Sequence, residues 1–149
     1  MQICSEIVGA LFMGVLVAAA FMDIVWQEVY DFLWILGIVL AGIQYALSEN
    51  PGLAPFAGMV FFIFVQEVIM AKAYGKADCH CYSCCAFMLV ACGYGFEDIV
   101  VMMGMSFAFL VSVQLRRRNI GSRGKLKEAV PMIPYILASY TVLTAGKVF

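Results

Sequence analysis

Residues 3–23 read ICSEIVGALFMGVLVAAAFMD, an apolar run from Ile3 to Met22 closed by the carboxylate of Asp23. A bilayer-spanning helix needs roughly 20 mostly apolar residues, and this run supplies them. The rest of the chain repeats the plan. Phe32–Leu47 is a shorter second run, stopped by the turn-forming string Ser48-Glu49-Asn50-Pro51-Gly52. Leu53–Ala73 is the third, with Gln66 and Glu67 inside it. The fourth, Cys81–Cys92, is the shortest, and Gly93-Tyr94-Gly95 and the acidic pair Glu97-Asp98 end it. Ile99–Leu115 is the fifth. Ala129–Gly146 is the sixth, with Pro131 and Pro134 in its first turns, where a missing N–H is tolerated. The expected fold is an all-α membrane protein of six transmembrane helices.

Composition points the same way. The chain has 149 residues, 64% hydrophobic and 13% charged, with a mean hydropathy of +0.96. Soluble domains are about 45–50% apolar and about 25% charged. A soluble chain of this length cannot bury so much apolar surface, so lipid must cover part of it. A net charge of −1 argues against nucleic acid as a partner. Met1–Glu6 carries no Lys or Arg, so the first run reads as a retained helix rather than a cleaved leader. No linker or internal repeat divides the chain, which reads as one polytopic domain over residues 1–149.

Six spans put both termini on one side. Lys72 and Lys76 follow the third run, and Arg116, Arg117, Arg118, Arg123, Lys125 and Lys127 follow the fifth; among the 9 basic residues, Lys147 alone is opposite. The positive-inside rule then makes those loops cytoplasmic and both termini extracytoplasmic, in a multi-pass protein of the cytoplasmic membrane. Asp23, Glu28, Asp31, Glu67 and Asp78 fall on or near the cytoplasmic face. Glu97 and Asp98 are expected outside, solvated.

An acid at the edge of a hydrocarbon slab is costly, which makes it a functional candidate. Asp23 and Asp78, distant in sequence and on the same face, suit a general acid/base pair. One ionised carboxylate activates a water, and the other, protonated, hydrogen-bonds a scissile carbonyl; like charge drives the two titrations apart. Gly75 and Ala77 are small enough to let backbones approach closely. Against this, Asp78 also reads as an N-cap of the fourth helix. Glu67 reads as a structural acid paired with Gln66 or a lysine, or as a substrate contact. Solvation accounts for Glu28 and Asp31.

At these residues the chain resembles the prepilin peptidases, or type IV leader peptidases, relatives of the preflagellin peptidases. Phe21-Met22-Asp23 matches a helix ending in that family's first catalytic Asp. Val29-Tyr30-Asp31 stands where the family has Ile/Leu-Pro-Asp/Asn, with Tyr30 in place of the proline. Gly75-Lys76-Ala77-Asp78 matches the family's Gly-x-Gly-Asp, with Ala77 in place of the second glycine; a positive φ there would strain the turn. Val130-Pro131-Met132-Ile133-Pro134-Tyr135 resembles the opening of the family's last helix. The resemblance implies an aspartyl endopeptidase with Asp23 and Asp78 as its dyad. It also implies cleavage of a short basic leader from pilin-like precursors at the cytoplasmic face, with no cofactor. Gly75, Lys76, Ala77, Glu28, Asp31 and Glu67 are expected as substrate-binding or supporting residues, the acids suiting a basic leader. The chain looks like the compact peptidase-only form, with no N-terminal methyltransferase or zinc region.

Cys79-His80-Cys81-Tyr82-Ser83-Cys84-Cys85 gives other readings. Cys81, Cys84 and Cys85 share a helical face, and with Cys79 and His80 they are candidate ligands for zinc, copper(I) or an iron–sulfur cluster. A metal-binding or metal-transporting membrane protein is therefore one alternative; a non-catalytic member of the same fold is another. The simpler account is that thiols at a reducing membrane face pack beside the site. Cys4 and Cys92 read as packing residues.

Overall fold

The computed structural model describes residues 2–48, 52–73, 75–119 and 130–146. Glu49, Asn50 and Pro51 of the expected turn, Tyr74, Arg123, Lys125 and Lys127 of the basic loop, and Lys147 lie outside the described residues. The described chain is all-helical, and its elements are α1 Gln2–Trp26, α2 Asp31–Leu47, α3 Leu53–Phe64, α4 Lys76–Ala91, α5 Phe96–Asn119 and α6 Ile133–Gly146. A π turn, Val65–Ile69, and a short 3₁₀ turn, Met70–Lys72, continue α3.

Three stretches are long and apolar enough to cross a membrane: Ile3–Trp26, Leu53–Lys72 and Phe96–Arg116, of 24, 20 and 21 residues. At 1.5 Å per residue they reach about 36, 30 and 32 Å, against a hydrocarbon core of about 30 Å. Their outward faces are as apolar as their inward ones. On α1, Val8, Phe12, Leu16 and Ala19 are buried, while Ile3, Ile7, Leu11 and Phe21 are exposed. A helix apolar all round needs lipid on the side that protein leaves open. By length and composition this is a membrane protein.

The fourth helix, weakest by apolar length, is the centre of the bundle. It packs against α2, α3, the π turn, α5 and α6, and 11 of its 16 residues are buried. Protein rather than lipid covers it, so its cysteines, serine and tyrosine meet partners instead of hydrocarbon. Tyr82 hydroxyl and Ser106 Oγ hydrogen-bond each other between α4 and α5. α2 and α4 approach closely at Gly37, where a Cβ would stand 3.3 Å from the sulfur of Cys84. Small residues at such crossings let van der Waals contact hold helices together where lipid supplies no hydrophobic drive.

Several boundaries differ from the sequence reading. α1 runs one turn past Asp23. α4 starts at Lys76 rather than Cys81, because Gly75 caps it and its polar first turns are shielded by neighbours. It ends as expected at Gly93, whose φ of +82° closes the reversal: Gly93 N–H donates to Val90 C=O and Tyr94 N–H to Leu89 C=O, both at 3.0 Å. Glu97 and Asp98 belong to the first turn of α5. Its other end carries Arg116, Arg117 and Arg118 as helix rather than loop. α6 starts at Ile133, so Pro131 precedes it and only Pro134 lies in its first turn. Cys4 and Cys92 are exposed, not packed.

Candidate active site

α1 ends where α6 begins. Asp23, half-buried in the last turns of α1, accepts a hydrogen bond from the Ile133 N–H at 3.1 Å and another from the backbone of Met132. The first N–H groups of a helix have no partner within it, and the helix N-terminus is the positive end of its dipole. Asp23 therefore serves as the cap that α6 lacks in its own sequence. It ties together positions 110 residues apart.

Asp78 does the equivalent for α4 from within. Gly75 is the N-cap residue, and Asp78, three residues on, accepts the Gly75 backbone hydrogen bond. This is the reciprocal half of a capping box. Asp78 is thus not itself the N-cap. Lys76 is exposed and Ala77 half-buried between them. Ala77 has ordinary helical backbone, and among the described non-glycine residues Gln27 alone has a positive φ, so the alanine is unstrained.

The two carboxylates, each at the positive end of a helix, lie near enough for the charge of Asp23 to act on Asp78. Both also act on the buried thiol of Cys81, one turn further along α4. Each carboxyl bonds to backbone amides and not to the other. The Phe21–Asp23, Gly75–Asp78 and Val130–Tyr135 segments thus meet at one end of the bundle.

The opposite side of α4 holds a second polar cluster. Glu67 rides on the π turn, a feature that recurs at functional sites. Its Oε1 meets His80 Nδ1 at 3.0 Å and accepts the Ser83 hydroxyl at 2.7 Å. Glu67 therefore pairs with neither Gln66 nor a lysine. Gln66 turns to Met103, its Nε2 3.6 Å from the sulfur. A cavity of about 210 Å³ lies beside this cluster, lined by Asp31, Trp34, Glu67, His80 and Ser83 among others. Glu28 is exposed between α1 and α2 and does not line it. A larger cavity, about 430 Å³, lies at the other end of the bundle beside Ser5, Gln44 and Tyr94. Neither cavity is lined by Asp23 or Asp78.

The cysteines pack inward. Cys79, Cys81, Cys84 and Cys85 are buried free thiols; the Cys81 and Cys85 thiols hydrogen-bond each other, and the Cys84 thiol points at Trp34 C=O, 3.6 Å away. His80 meets Glu67 and lines one cavity with Cys84. Among the described residues no three His, Cys, Asp or Glu side chains converge to hold a metal ion.

Trp34, Ser83 and the Met132–Ile133 amides escaped the sequence reading. Pro131 signalled a helix start near Ile133, but which acid would cap it depends on the folding of the bundle. Ser83 and His80 share a cluster with Glu67 because the π turn sets Glu67 against α4, and that turn has no sequence signature. Comparison with models of known protein families, with characterised proteins and with solved structures finds no match to this chain.

Proposed function

We propose that this chain is a membrane aspartyl endopeptidase of the prepilin-peptidase type, with Asp23 and Asp78 as its dyad. In this reading it crosses the cytoplasmic membrane six times and keeps both termini outside. It removes the short basic leader of a pilin-like precursor at the cytoplasmic face. The observation that carries the reading is the approach of Asp23 and Asp78 at one bundle end, where the start of α6 joins them.

The chemistry follows from the pair. Two neighbouring carboxylates repel when both are ionised, which favours a state with one of them protonated. The ionised one takes a proton from water as the water attacks the scissile carbonyl. The protonated one donates to the carbonyl oxygen. Amides of Met132 and Ile133 fix Asp23, and the Gly75 amide fixes Asp78, so both oxygens are held before substrate arrives. In this reading Lys72, Lys76 and Arg116 lie on the cytoplasmic side, where each basic residue adds about 1 kcal/mol of attraction to anionic lipid.

One observation favours a second reading. The amide contacts of both aspartates are those of helix caps, which a non-catalytic member of the fold would also keep. Co-expression with a panel of pilin-like precursors separates the two. Wild type should convert a precursor to a faster-migrating product, and Asp23→Asn and Asp78→Asn should not. Full processing by either variant rejects the dyad; failure of the wild type on every precursor favours the scaffold.

A further inference from the structure

We propose that the cavity between α2, the π turn and α4 is a subsite for one basic side chain of a peptide substrate. Its walls carry two acids, Asp31 and Glu67, together with His80 and Ser83. Among the described residues no lysine or arginine pairs with either acid; Glu67 meets His80 and Ser83. Asp31 is exposed and Glu67 half-buried, and two carboxylates lining one cavity attract a cation. A second observation is independent of the acids. Trp34 lines the same cavity at 4% exposure, and its indole N–H is buried with no partner. A buried donor left unpaired costs free energy, and a peptide carbonyl entering beside Trp34 would satisfy it if the indole shifts to meet it. Ile35 and Ile38 provide an apolar wall for the methylene stem of lysine or arginine. At about 210 Å³ the cavity is smaller than the roughly 300–1,000 Å³ of sites that enclose a whole small ligand. It suits a single side chain.

What the subsite is for rests on the peptidase reading; that it binds a cation does not. Asp78 and His80 are two residues apart on α4, about 200° around the helix, so they face opposite sides. A helix with its side chains is about 10–12 Å across, and an extended peptide advances about 3.3–3.6 Å per residue. A substrate crossing the start of α4 would present its basic residue about three positions from the bond held at the aspartates.

The test is a binding measurement. The full chain carrying Trp26→Phe, so that Trp34 is the one tryptophan, is placed in phosphatidylcholine nanodiscs. It is titrated with two octapeptides that differ only in lysine against norleucine, three positions before the target bond. The lysine peptide should bind at least about tenfold tighter, the effect of one charge-assisted hydrogen bond, and shift the tryptophan emission. Asp31→Asn should reduce that preference, and Asp31→Asn with Glu67→Gln should remove it. Asp31 is exposed, so its variant tests the proposal even if the double variant fails to fold. Equal affinity for the two peptides overturns the subsite, as does a preference that survives Asp31→Asn undiminished. Cleavage is read separately. Preference without cleavage rejects the dyad alone, and cleavage without preference rejects the subsite alone.

Discussion

Gly75-Lys76-Ala77-Asp78 and Gly95-Phe96-Glu97-Asp98 have the same local design. In each, a glycine precedes the helix and an aspartate three residues on accepts its N–H, at 2.9 Å for Gly95 and Asp98. Asp98 is thus a control for the structural part of what Asp78 does. Replacing either with alanine removes a charge-assisted backbone bond, about 1.5–3 kcal/mol, and a favourable charge at a helix N-terminus, about 0.3–1 kcal/mol. The expected loss is about 2–4 kcal/mol, or about 4–16 °C in melting temperature for a chain of this size. Asp78→Ala should be the milder of the two, because it also relieves repulsion from Asp23. Thermal unfolding in detergent, followed by tryptophan emission, measures this part. Processing of a pilin-like precursor measures the other: Asp78→Ala should fall at least about 100-fold, while Asp98→Ala stays near wild type. Wild-type processing by Asp78→Ala refutes the reasoning. So does an equal loss in a well-folded Asp98→Ala protein.

Asp23→Asn retains an oxygen for the Ile133 N–H, so it should melt within about 2 °C of wild type yet lose processing; Asp23→Ala strands that amide and should cost about 1–3 kcal/mol. Gly93→Ala forces a side chain onto a φ of +82° and should destabilise by about 1–2 kcal/mol in thermal melts, with activity per folded molecule unchanged. Gln27 turns the chain after α1 with a φ of +54°, so Gln27→Gly should raise the melting temperature and Gln27→Val should lower it. Gly37→Leu should cost about 1–3 kcal/mol or more by driving α2 from Cys84, read as a lower melting temperature and faster thiol labelling.

Helix number and class were legible because long apolar runs have few other uses. The two aspartates were legible because acids are rare at the ends of such runs. Boundaries were less so. Polar residues 76–80 look like a loop on hydropathy, yet they form the first turns of α4 because neighbouring helices cover them. The cap that Asp23 supplies to α6 depends on two distant chain ends meeting, and no local pattern encodes that. Glu67 was visible as an acid inside an apolar run, but its partners, His80 and Ser83, depend on the turn that carries it. The apolar run Leu53–Ala73 carries no mark of the π turn at Val65–Ile69.

The enclosure of α4 bears on how the protein is made. Its side chains are too sulfur-rich and hydroxyl-rich to hold it in bare lipid, so early in synthesis it has little reason to leave the aqueous side. α2 and α3 emerge before it and can form one wall of its berth; α5 and α6 can close the other only once they are translated. Biogenesis should therefore have a late committed step. Chains halted after residue 95 should keep the α4 thiols open to water-soluble alkylating reagents, and chains that have completed α6 should not.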